Sequence, residues 1–266
     1  MSTITKCFCG SGKEYDKCHK EIKINSKFAK TYKFYRKIDS IMNKKINENL
    51  LNIVCKKGCS ECCFHIFSIS EVEFCIIVDY ITKHFNKLQL EDIMKESLEI
   101  REILYKDHPD YMNRLNINIT GIKPEDYIYY VTDSPGKLKK GCVLLNSKDQ
   151  CSIYKVRPSI CRTHGVAYFH ENYTNILCSK LKVDDSNRSN FVDLTDYREE
   201  YDGLYAFTNS KNNSTVIRRV YPLFYWFCLL EDKEMSLDQF KRTAIYKKYT
   251  TMSEREFLDN MHNITY

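Results

Sequence analysis

Eight cysteines in two tight groups constrain this chain more than any other feature. Cys55, Cys59, Cys62 and Cys63 lie in CKKGCSECC, and Cys142, Cys151, Cys161 and Cys178 lie in and around CSIYKVRPSICR. Vicinal and closely spaced thiols are spaced for metal rather than for disulfides, and the total of thirteen cysteines is odd, which fits poorly with a closed disulfide framework. The N-terminus, MSTITKCFCG, lacks the apolar stretch of a signal peptide, so a cytoplasmic, reducing location is expected. The longest apolar run, Val220 to Leu230, is too short for a membrane span and contains Pro222.

A second cysteine-bearing unit stands at the start of the chain. Cys7, Cys9, Cys18 and His19 supply three thiolates and one imidazole within thirteen residues. That is a complete ligand set for tetrahedral zinc, and Gly10 and Gly12 permit the turn that brings Cys18 and His19 back to the first pair. So short a unit cannot bury enough apolar surface to fold alone, so metal binding supplies its folding energy.

The main group offers up to eight ligands, enough for two iron–sulfur clusters, two closed zinc sites, or one cluster with spare thiols. Successive side chains alternate faces in extended backbone, so there Cys62 and Cys63 would serve different metals, or one of them would stand behind the other. Arg157 and Arg162 flank the cysteines of the second group, where a guanidinium neutralises thiolate charge or grips a carboxylate; the plain alternative is a salt bridge holding the Arg-Pro turn. These two arginines and Tyr154 are the catalytic candidates. His65 and His164 are spaced to complete a zinc shell, although a lone nearby histidine is more often simply hydrogen-bonded. Cys75 and Cys228 sit in apolar runs and read as buried thiols.

The pattern elsewhere is helical. Phe28, Tyr32, Tyr35, Ile38, Met42, Ile46 and Leu50 form one stripe, predicting a helix from about Glu21 to Leu50. Ser70 and Glu73 have capping-box spacing ahead of Phe74, Ile77, Val78, Ile81 and Phe85. Helices are expected at 90–106, 216–230, 236–248 and 253–262, and short strands at INIT and DYIYYV between Asn116 and Asp133. The net charge is +6, and ten Lys or Arg against two acids fall between Lys17 and Lys45. This reads as a solvated helix face; nucleic-acid binding rests on charge alone and is the weakest reading.

Two resemblances sit on these residues. Cys7 to His19, with Ser11, Gly12 and Lys13, closely resembles the SEC-C zinc motif, which implies zinc and a protein-docking role. CKKGCSECC with the intact Cys151-to-Arg162 segment and Cys178-Ser-Lys resembles the CxxCxxCC family of zinc- or iron-chelating proteins over 55–180. The three-residue gap between Cys55 and Cys59 departs from the family's two. That family is related to the flagellin lysine N-methylases, which implies a [4Fe–4S] cluster and S-adenosylmethionine. The chain itself, with eight glycines and no G-x-G-x-x-G, gives methyl transfer no independent support.

The expected fold is mainly α with irregular metal-organised loops, a small α+β share being the alternative. Residues 1–20 are the knuckle, and 21–266 are a helical domain holding the cluster and a helical C-terminal extension. The expected function is that of a zinc or iron–sulfur protein acting on a protein or peptide, with lysine N-methylation as the activity; the alternative is a non-catalytic metal-handling protein docked through its knuckle.

Overall fold

The computed structural model describes residues 5–47, 58–116, 133–170, 173–175, 178–181, 191–209, 214–217, 219–253 and 255–257. It is mainly helical, with small sheets and irregular loops. The amphipathic stripe forms helix α1 (Lys27–Asn47), burying Phe28, Tyr32, Tyr35, Ile38 and Met42 along one side. It starts later than Glu21 because the chain turns after the knuckle, and the Ser26 hydroxyl caps the helix by accepting from the Ala29 N–H. Leu50, INIT and DYIYYV lie outside the described residues.

Strand β1 (Ser68–Ser70) runs into helix α2 (Glu71–His84) through the expected capping box: the Glu73 carboxylate accepts from the Ser70 N–H at 3.0 Å. Helices α3 (Lys87–Asp107) and α4 (Pro109–Leu115) follow, then the short helix α5 (Ser159–Thr163). Strands β2 (Tyr168–His170) and β3 (Tyr173–Asn175) form a hairpin, and β4 (Val192–Asp193) lies parallel to β2. Helix α6 (Arg198–Tyr205) leads to a second hairpin, β5 (Ala206–Asn209) with β6 (Ser214–Ile217).

The C-terminal part departs from the sequence pattern. The described residues within 216–222, namely 216, 217 and 219–222, are not helical. Strand β7 (Val220–Pro222) pairs antiparallel with β1, placing Ile69 opposite Tyr221, and helix α7 (Leu223–Glu231) starts only after Pro222, whose fixed φ and missing N–H suit a helix entry. The expected helix 236–248 is two helices, α8 (Leu237–Phe240) and α9 (Ala244–Thr251), with Thr243 capping the second. Of 253–262 only 255–257 is described as helix.

A single apolar core joins these pieces. Trp226 of α7 stacks on Phe74 of α2 at 5.1 Å and donates to the Ile69 carbonyl. Cys75 and Cys228 are fully buried in this core. The knuckle shares it: Phe8 is buried against Phe28, Tyr32 and His19. No helix among the described residues is long and apolar enough to cross a membrane.

Candidate metal centres

The knuckle closes by backbone hydrogen bonds that its glycines permit. Gly10 and Gly12 both take φ near +77°, a region other residues avoid, and the Cys7 N–H then reaches the Lys13 carbonyl at 2.9 Å. One 3-10 turn, Tyr15–Lys17, returns Cys18 and His19. The donor atoms of Cys7, Cys9, Cys18 and His19 all lie within 4.8 Å of one another. Cys9 and Cys18 sulfurs are 3.6 Å apart, and Cys7 Sγ is 3.2 Å from His19 Nδ1. Tetrahedral zinc with its usual bond lengths sets sulfurs about 3.8 Å apart and sulfur and nitrogen about 3.5 Å apart, so the donor set fits zinc.

The sequence did not single out the residue behind this site. His19 turns Nδ1 to the thiols and Nε2 to Asp79 Oδ2, 3.2 Å away on α2. Asp79 is buried, receives Lys83 at 2.9 Å and is approached by Tyr246 at 3.3 Å. Burial opposes its ionisation, but His19 and Lys83 outweigh that and hold the carboxyl down at about 2. Burial likewise works against a charged His19, yet the Asp79 hydrogen bond holds the imidazole up at about 9. A carboxylate on the far nitrogen is the arrangement that orients metal-ligating histidines. Its one signal in the sequence was a lone acid inside the apolar run FCIIVDYI.

The second centre is assembled from two distant segments. The Cys142 N–H donates to the Cys63 carbonyl, the Leu138 N–H donates to the Phe64 carbonyl, and His65 bridges Lys137 antiparallel. A tight turn at Asn146–Gln150, with Leu145 paired to Cys151, folds Cys151 back beside Cys142. Cys62 and Cys63 lie on one 3-10 turn, Glu61–Phe64, rather than in extended chain, so both thiols face the same site and share a hydrogen bond. Five thiols, of Cys62, Cys63, Cys142, Cys151 and Cys161, influence one another electrostatically. The Cys63 hydrogen bond, helped by the Arg157 charge, lowers Cys62 to about 7. Burial pushes Cys142 up to about 12 and raises Cys151 and Cys161, while Cys63 is raised first by its bond to Cys62. Cys62 is thus the readiest thiolate; the other four must lose protons to bind metal.

Among the described residues, the knuckle alone gathers three or more donors within 4.8 Å, so the five thiols are spread more widely. Cys59 and Cys178 are half-buried and are not among the five. Cys55 lies outside the described residues.

Two acids hold the Arg-Pro turn. The buried Glu73 accepts from the Ser159 N–H at 2.8 Å, the Ser159 hydroxyl at 2.7 Å and the Tyr35 hydroxyl at 3.1 Å, fixing the start of α5 and hence Cys161. Asp39 of α1 pairs with both arginines, at 3.5 Å from Arg157 and in a short bond with Arg162. Arg162 also donates to the carbonyls of Arg157 and Lys155 and lies over the Tyr35 ring. Arg157 lies over the Tyr154 ring at 3.9 Å. The guanidinium groups are therefore engaged by protein partners, as a turn-holding ion pair requires.

Beside the thiols opens a cavity with about 610 Å³ of empty space, mouth included. Cys62, Cys63, Cys142 and Cys161 form one wall, and the rest is apolar except for His65 and Lys140, the latter paired with Glu99. Behind His65 lies the buried His164, with ring centres 5.8 Å apart; its Nδ1 has no hydrogen-bond partner.

Residues 54–180 match the model of the CxxCxxCC family, described as a candidate zinc- or iron-chelating domain. No curated protein and no solved structure matches the chain. The matched span contains all eight cysteines of the two groups and begins well after the knuckle, which lies outside it. The family match and the closed Cys/His set together make this a metal-binding protein.

Proposed function

We propose that this metal-binding protein, whose residues 54–180 form a CxxCxxCC domain, carries two unlike centres: a structural zinc at Cys7, Cys9, Cys18 and His19, and a multinuclear iron–sulfur centre held from among Cys62, Cys63, Cys142, Cys151 and Cys161. The observation that carries this is the convergence of five thiols from two segments onto one site. Five exceeds the four ligands of a single zinc, and their spread exceeds the spacing one zinc imposes. Anaerobic purification with iron, sulfide and zinc analysis tests the reading. Zinc near one per chain, with iron, sulfide and charge-transfer absorption that Cys161→Ser abolishes, is expected. Zinc alone, at two or more per chain without sulfide, would overturn it.

The knuckle's exposed turn, Gly10 to Lys13, is the surface through which it would dock a protein partner. The finer reading, lysine N-methylation with S-adenosylmethionine, rests on the resemblance. The described cavity lining does not suit that cofactor: besides thiols it offers only His65 and Lys140, with nothing for ribose hydroxyls, an adenine edge and an amino-acid end together. The open cavity beside the thiols favours a centre that meets a bound molecule over a closed metal store.

A further inference from the structure

The cavity wall decides what kind of molecule that is. Its volume without the open mouth is about 70 Å³, well below the roughly 300–1,000 Å³ of ordinary small-molecule sites, so its occupant is small and lies partly in the mouth. Phe64, Phe67, Leu138, Val143, Leu223 and Phe224 surround it from the two cysteine segments and the start of α7. Apolar surroundings of this kind strip water from any charged group that enters without offering it a partner. The ammonium at the edge, Lys140, is already tied to Glu99. The thiol wall, once metallated, carries negative charge and repels anions.

We propose that this cavity binds a small uncharged apolar molecule, no larger than about a single aromatic ring, against the exposed face of the five-thiol centre. The apolar lining selects against charged ligands of either sign, and the occupied cation and the anionic wall select further against anions. The cavity is continuous with the thiols, so its occupant lies against the metal. This last step rests on the five-thiol centre being metallated, whereas the binding itself rests on the cavity alone.

The test uses the full chain with both centres loaded and its metal and sulfide contents measured first. Toluene is the probe, followed by methyl NMR of isoleucine, leucine and valine and by the absorption of the centre. Saturable shifts at Ile66, Ile69, Leu138, Val143 and Leu223, with a change in the charge-transfer bands, are expected. Benzoate, matched in shape but charged, should bind at least about tenfold more weakly. Val143→Phe fills the cavity without touching a thiol and should weaken toluene binding at least about tenfold at unchanged metal content; Leu138→Phe serves the same purpose if that variant does not fold. Absence of saturable shifts in fully loaded protein, equal binding of benzoate, or toluene binding unaffected by the filling variant would each overturn the proposal. If iron and sulfide never load while toluene still binds at these residues, the iron–sulfur reading fails and the cavity's ligand class stands.

Discussion

Asp79→Asn isolates the contact that orients the knuckle's histidine. The substitution keeps the size of a side chain that is buried on α2 and 3.2 Å from His19 Nε2. It removes the anion that keeps the proton on Nε2 and makes Nδ1 a better donor to metal. Loss of such a partner weakens metal binding by about 10- to 100-fold, or about 1.4–2.7 kcal/mol. A competing effect is the stranding of Lys83, but that ammonium is a third exposed and also reaches Glu21 at 3.2 Å, so it keeps a partner. The zinc effect should therefore exceed the effect on the metal-free fold. Competition against a chromophoric chelator at constant pH gives the affinity, and thermal unfolding of the metal-free protein gives the second quantity. Lys83→Met removes the neighbouring cation while leaving the His19 contact, and should change zinc affinity less. An Asp79→Asn protein within about threefold of wild-type affinity would show that His19 is not a ligand or that Asp79 does not orient it.

Other consequences are equally direct. Glu73→Gln leaves Ser159, Tyr35 and Ser70 competing for one neutral acceptor and should cost about 2–4 kcal/mol in urea unfolding, with lower iron retention; unchanged stability would refute its role in fixing Cys161. Arg162→Lys keeps the charge but loses the fork shared by Asp39 and two carbonyls, so it should lower iron at the five-thiol centre and leave knuckle zinc intact; full iron loading would sink that assignment. Burial, with the His65 charge adding, pushes His164 down to about 4, so the unfolded chain takes up its proton first as pH falls below about 6.5. This histidine's share of stability should be lost between there and about pH 4, and His164→Leu should flatten that part of the stability profile; an unchanged profile would count against it.

What the sequence made legible follows from how local each feature is. The knuckle is closed by residues within thirteen positions, and its ligand atoms meet as their spacing implies. The capping box at Ser70 and the stripe of α1 are likewise local patterns, which tertiary contacts then reinforce. The pairing of β7 with β1 joins residues some 150 positions apart, and no periodicity within Val220–Pro222 distinguishes it from the apolar helix that follows. The roles of Asp79 and Asp39, and the hold of Glu73 on Ser159, were hidden for the same reason: each depends on a partner far away in the chain. The 3-10 turn at Glu61–Phe64 is local but has no periodic signature, so the side-by-side placement of Cys62 and Cys63 could not be read from pattern alone.

Helix α2 shows how a mostly apolar fold can position the two proposed metal centres, which share no ligand. All three of its acids are buried, with separate duties: Glu71 pairs with Lys248, Glu73 holds the Cys161 turn, and Asp79 holds His19. A buried carboxylate is costly unless it is hydrogen-bonded or paired, so each acid ties α2 to the groups that satisfy it. Glu73 and Asp79 are six residues apart, about 9 Å along the helix axis. At that separation a well-packed helix transmits position without sharing ligands. The knuckle thus fixes the far end of the helix whose near end sets Cys161, which gives the proposed zinc site at the start of the chain a reason to be packed into the core rather than carried on a linker.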